Sequence, residues 1–161
     1  MPEIHRSALL PYSSAQMYAL VDDIPSYPDF LPWCKKAEVL SSGPGVKRAA
    51  LTLQKGPLSE RFVTRNTGTP PNHIHLALDE GPFRHLDGHW RFTDLGPEGC
   101  KVTLDIEFEL AGFFMAKMLN AVLTRALDSL VDAFCARARV LYGPQGAGTL
   151  DGPAGDNNDP R

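Results

Sequence analysis

Four of the five histidines are the side chains best suited by type and spacing to hold something: His73 and His75 form His-x-His, and His85 and His89 form His-x-x-x-His. In a hairpin turning near Gly81 and Pro82, both pairs fall with Asp87 on one face, opposite Leu76, Leu86 and Trp90. Imidazoles on neighbouring strands suit zinc, which favours four such ligands. The plainer reading is a solvated outer face that happens to be rich in histidine. It is adopted here, with no metal assigned.

Acid–base and nucleophilic chemistry find less support. Asp105, Glu107, Glu109 and Arg91 fall on the outward phase of their strands, whereas catalysis needs an acid or base within reach of a bound substrate. Glu60 and Arg48 have no clear phase. Cys34 lacks a recognisable His partner and reads as a buried, inert thiol. Neither a nucleophile elbow nor a phosphate-binding loop is present. No catalytic residue and no cofactor is therefore assigned, and the chain reads as a non-enzyme.

The elements that position these residues follow from periodicity. Ile4, Arg6, Ala8 and Leu10 alternate with Glu3, His5, Ser7 and Leu9 in a first strand that stops at Pro11. Ser13 or Ser14 caps a short helix over 15–21, and Pro25, Pro28 and Pro32 make the next stretch an irregular connection. Strands follow at about 36–42, 46–55, 58–67, 73–79, 84–94 and 100–110, with Gly-Pro pairs at 43–44, 56–57, 81–82 and 96–97 as turns. A meander is the simplest topology. In the last strand Cys100, Val102, Leu104, Ile106, Phe108 and Leu110 share one face, so one side of the sheet is covered and the other is wet.

From Phe113 to Tyr142 the period becomes helical, with Met115, Leu119, Val122, Leu123, Ala126, Leu127, Leu130, Phe134, Ala138 and Leu141 on one side. A single helix of this length spans about 45 Å at 1.5 Å per residue, enough to lie across the sheet as one lid. The fold class is α+β: a curved antiparallel sheet around a long C-terminal helix. Residues 1–142 form the domain. The tail at 143–161, rich in Gly, Pro, Asp and Asn, is expected to be disordered, because it cannot bury enough surface to offset its ordering entropy.

A sheet gripping a helix can enclose an apolar tunnel, and the aromatic residues exceed what one seam needs. Phe30, Trp33, Phe62, Phe83, Leu86, Trp90, Phe92, Leu104, Ile106, Phe108, Met115, Met118, Leu119 and Val122 are the expected tunnel residues. Pro28 and Pro32 would form one mouth. Phe113 and Phe114, after Gly112, cannot all face one core and would touch a membrane surface.

The 161 residues carry a formal net charge of −3, which excludes a general nucleic-acid surface and gives no reason to expect DNA as a partner. Three widely spaced cysteines, without a Cys-x-x-Cys pair, fit a reducing compartment. Neither a targeting presequence nor a run of about 20 apolar residues is seen. The expected location is cytoplasmic, with peripheral contact at the inner face of the membrane.

Four segments carry a family resemblance: YPDFLPWC (27–34), GPFRHLDGHWRF (81–92), CKVTLDIEFEL (100–110) and FCARARVLYG (134–143). Together they resemble the RatA family of the START-like, polyketide-cyclase-related superfamily, close to the coenzyme Q-binding proteins of mitochondria. The resemblance covers about residues 3–143. It implies a helix-grip (START-like) α+β fold with a hydrophobic tunnel, and binding of ubiquinone or a similar polyprenyl quinone in support of respiration or quinone biosynthesis, without turnover. It also implies an alternative, a toxin-like regulator that binds ribosomal subunits and hinders their association. For that reading the relevant surface would be basic: Lys35, Lys36, Lys47, Arg48, Arg61, Arg65, Arg84 and Arg91, with Arg137 and Arg139 at the helix end. A cyclase-type enzyme stands third.

Overall fold

The computed structural model describes residues 3–111 and 113–143, and side chains outside 112–119. The tail expected to be disordered therefore lies, beyond Gly143, outside the described residues. Strand β1 (Glu3–Leu10) leads into α1 (Ser14–Asp22), a 3-10 helix (Ile24–Asp29), and then β2 (Cys34–Gly43), β3 (Val46–Lys55), β4 (Leu58–Thr69), β5 (His73–Glu80), β6 (Phe83–Asp94) and β7 (Cys100–Leu110). Helices α2 (Phe113–Asp128) and α3 (Leu130–Tyr142) follow. All strand pairs are antiparallel, in the order β1-β7-β6-β5-β4-β3-β2. Strands β2 to β7 form the expected meander, and β1 returns to pair with β7.

Local chemistry explains the boundaries. A reciprocal capping box starts α1: Gln16 N–H donates to Ser13 Oγ at 3.1 Å, and Ser13 N–H donates to Gln16 Oε1 at 2.9 Å. Bulges between Cys34 and Lys36, Val39 and Ser41, Val63 and Thr64, and Phe83 and His85 bend the sheet around the helices. Gly68 admits α1 to the sheet. A Cβ there would meet the Tyr18 hydroxyl at 2.1 Å, so any larger residue would push Tyr18 away.

The concave face carries the core. Phe92, Leu104 and Phe108 from the sheet, Met17 from α1, Leu123 from α2 and Phe134 from α3 are all fully buried. Phe134 is the hub of an aromatic group, with ring centroids 5.2 Å from Trp90, 5.2 Å from Phe30 and 5.4 Å from Tyr27, all edge-on. Arg137 lies over the Phe30 ring at 5.2 Å, which shields the outer side of this group.

The expected single lid is two helices. Ser129 separates them: its Oγ donates to the Ala126 carbonyl at 2.8 Å, giving that oxygen a side-chain partner in place of a regular helical one. Leu141, expected on the inward face, is 50% exposed. The inward row continues from Ala138 to Tyr142 instead, whose ring packs 5.7 Å from Tyr12 and whose hydroxyl donates to the Gln16 carbonyl at 3.0 Å. Among the described residues no helix is long and apolar enough to cross a membrane.

Candidate functional site: an apolar cavity under the helices

Between the concave sheet and the helices lies a partly enclosed cavity of about 70 Å³. The sheet contributes Ala49, Leu51, Phe62, Thr64, Asn66, Leu76, Phe83, Leu86, Trp90 and Ile106, and the helices contribute Leu123, Leu127, Leu130 and Phe134. Ile24, Tyr27 and Trp33, from the proline-rich connection, close the remaining side. A second, more open hollow of about 380 Å³ is lined by Pro32, Trp33, Gln54, Lys55, Ala121, Val122, Arg125, Ala126 and Ser129. Trp33 belongs to both walls.

The polar groups here are few and specific. Thr64 Oγ1 donates to Asn66 Oδ1 at 2.7 Å, and the Tyr27 hydroxyl donates to the Val21 carbonyl. Burial raises the Tyr27 pKa above its ordinary value, so the phenol stays neutral. Trp33 Nε1 is buried and has no hydrogen-bond partner among the described residues. An unsatisfied buried donor costs about 1–3 kcal/mol, which a ligand oxygen would recover. Among the described residues the cavity lining holds no carboxylate, imidazole, amine or thiol.

The sequence of the whole domain agrees with known proteins. Residues 10–135 match the family model for polyketide cyclase / dehydrase and lipid transport proteins. The chain is 47% identical to the Ribosome association toxin RatA of Pseudomonas aeruginosa over 140 residues, 87% of this chain and 97% of that one. The chain belongs to the RatA family. It is also 31% identical to the mitochondrial Coenzyme Q-binding protein COQ10 homolog B of Xenopus laevis, across 89% of this chain and 60% of that one. Among solved structures, an 18 kDa protein from Caulobacter crescentus is 31% identical with a TM-score of 0.68, covering 89% of this chain and 99% of that one. A Streptomyces aromatase/cyclase shares the fold with a TM-score of 0.73 at 21% identity, covering 86% of this chain and 95% of that one.

Within this RatA-family domain, six of the expected tunnel residues line the cavity: Trp33, Phe62, Phe83, Leu86, Trp90 and Ile106. Val122 lines the outer hollow together with Pro32, one of the two expected mouth residues. Phe92, Leu104 and Phe108 lie outside both linings, packed into solid core. Phe30 sits behind Phe134, and Pro28 is exposed within the 3-10 helix. The side chains of Phe113, Phe114, Met115, Met118 and Leu119 lie outside the described residues. The residues missed were legible in part. Leu123, Leu127, Leu130 and Phe134 share the inward helical face, whereas Thr64, Asn66 and Ala49 have no apolar signature that marks a cavity.

The outer face carries the expected charges, largely paired. His85 Nε2 lies 3.0 Å from Glu107, Arg91 lies 3.2 Å from Asp105, and His5 also contacts Asp105. His73, His75, His89 and Asp87 share this face as one array, and His85 is bound away from them to Glu107. Cys34, Cys100 and Cys135 are free thiols, and burial pushes Cys34 and Cys100 up to about 11. None of these three is an activated nucleophile.

Proposed function

We propose that this domain binds a polyprenyl quinone, with its tail under the helices and its ring at Trp33, and carries it without chemical turnover. The observation behind this reading is the Trp33 indole N–H, a buried donor without a partner among the described residues, on the wall shared by the apolar cavity and the outer hollow. A quinone carbonyl oxygen accepts from such a donor, whereas a hydrocarbon cannot. The relative named for coenzyme Q binding supports the same ligand class. A described lining without carboxylate, imidazole, amine or thiol, its one phenol donating to the Val21 carbonyl, favours a carrier over a cyclase.

The size of the cavity constrains loading. About 70 Å³ falls well below the roughly 300–1,000 Å³ of pockets that enclose a small molecule, so a tail enters as α2 and α3 lift from the sheet. The break at Ser129 supplies a pivot beside the outer hollow. Each CH₂ then buried contributes about 0.8 kcal/mol. Loading at the inner face of a membrane, through Phe113 and Phe114, and a cytoplasmic location belong to the same proposal.

The test is mass spectrometry of organic extracts from the purified protein, set against Ala49→Leu, which fills the cavity from its sheet wall. Quinone in the wild type and none in a variant of equal thermal stability is the expected result. A wild type that is empty and also refuses added quinone would overturn the proposal.

A second reading is supported by the 47% identical relative named as a ribosome association toxin. Binding to ribosomal subunits would then use Arg61 and Arg65, outward on β4 and without ion pairs among the described residues. Lys47, Arg48, Arg91 and Arg137 are already paired with acids. Salt-sensitive co-sedimentation with subunits, lost in Arg61→Glu with Arg65→Glu, would support this reading; unchanged sedimentation of the variant would remove it.

A further inference from the structure

The outer face of the β5–β6 hairpin gathers His75, Asp87 and His89, with one potential ligand atom from each within 4.8 Å of the others. His75 and His89 are direct cross-strand partners, and Asp87 sits two residues from His89 on the same strand. His75 Nε2 lies 2.6 Å from Asp87 Oδ1, and His89 Nε2 lies 3.3 Å from Asp87 Oδ2. The His75 and His89 rings lie almost parallel, 4.6 Å apart. All three side chains are half-buried and open to solvent on one side.

We infer that His75 Nε2, His89 Nε2 and the Asp87 carboxylate form a binding site for a divalent transition metal ion of the zinc class. Bonds of about 2.0–2.1 Å to a tetrahedral ion place ligand atoms roughly 3.3 Å apart. The His89–Asp87 spacing already meets this, and the His75–Asp87 hydrogen bond opens by under about 1 Å as the ion replaces the proton between them. The two rings tilt from their stack so that both Nε2 lone pairs converge. Their backbones stay fixed by the β5–β6 ladder, so only side-chain torsions change.

A third histidine completes the arrangement. His73 Nε2 lies 2.8 Å from His89 Nδ1, the ring nitrogen that faces away from Asp87. Once His89 Nε2 binds metal, its Nδ1–H donates to His73 Nε2, which holds the ring in the ligating tautomer. Two imidazoles and one carboxylate leave a fourth position for water, and an adjoining surface concavity of about 210 Å³, lined by Asp87 and His89, gives that position room. Nitrogen-rich donors favour zinc, nickel or copper over magnesium or calcium. The site lies on the opposite face of the sheet from the quinone cavity and does not depend on that proposal.

The test uses untagged full-length protein, stripped with chelator and titrated with zinc(II) by calorimetry, with cobalt(II) absorption as a second readout of ligand geometry. One ion per chain is expected, with affinity falling at least 100-fold in His75→Ala with His89→Ala, and about 10- to 100-fold in His73→Ala. His85→Ala, elsewhere on the same face, should bind as the wild type does. Zinc affinity unchanged by His75→Ala with His89→Ala, or no saturable binding in the wild type, would overturn the inference. Thermal melts confirm that each outer-face variant is folded before titration.

Discussion

Arg6 on the edge strand β1 grips Asp128 at the last residue of α2: Nη1 donates to its carbonyl oxygen at 2.8 Å and to its carboxylate at 3.1 Å. Nη2 extends to Asp132 in α3 at 3.2 Å, so one guanidinium spans the break between the helices. The main-chain contact satisfies a helix-terminal carbonyl and places positive charge at the negative end of α2. These partners raise the Arg6 pKa above its already high value.

If this clasp restrains the lid, Arg6→Ala should accelerate amide hydrogen exchange around residues 125–133 and speed quinone uptake, while changing the melting temperature little because the pair is exposed. High salt should move the wild type toward the variant. Exchange that is the same in both proteins would show that apolar packing alone holds the lid.

Replacing Trp33 with Phe removes the free indole N–H and keeps an aromatic wall. A neutral hydrogen bond is worth about 0.5–1.5 kcal/mol net, so affinity for a quinone should fall roughly three- to tenfold. Binding of a prenyl hydrocarbon without carbonyl groups should not fall. Equal losses for both ligands in fluorescence titrations would assign Trp33 a packing role only.

Phe134 joins α3 to Trp90, Phe30 and Tyr27, and Phe134→Ala leaves a hole at the centre of that group. The expected loss is about 3–5 kcal/mol in urea denaturation, with less effect if the neighbouring rings collapse into the space.

Cys34 and Cys100 are held as thiols up to about 11, against an ordinary value of 9.0, chiefly by burial. A folded-state pKa above the unfolded one gives stability that is complete below about pH 9 and lost as pH rises toward 11. Denaturation midpoints should therefore decline over that interval. Alkylation of both thiols at pH 8 should be slow until the protein unfolds. Rapid native-state alkylation of Cys34 would contradict its burial.

Much of the fold was legible along the chain, because strand and helix periodicities are local and the Gly-Pro turns separate them. The β7 alternation assigned an inward face that the structure keeps at each of its six positions, from Cys100 to Leu110. The outward placement of Asp105 and Glu107 followed from the same alternation. The four histidines could be given a face but not a grouping, since cross-strand register decides that His89 meets His73 and His75 while His85 meets Glu107.

By itself the sequence determined the inward phase of β7, the approximate place of each strand and that the helical segment covers the sheet, because each depends on residue type and period. Tertiary structure decided which inward residues face empty space and which face one another. Phe92 and Trp90 share an inward phase, yet only Trp90 borders the cavity. It also decided that the lid breaks at Ser129, where one hydroxyl takes up the Ala126 carbonyl and an arginine more than 100 residues away holds Asp128. Cavities and clasps arise from curvature and from contacts between distant segments, and no window along the chain contains either.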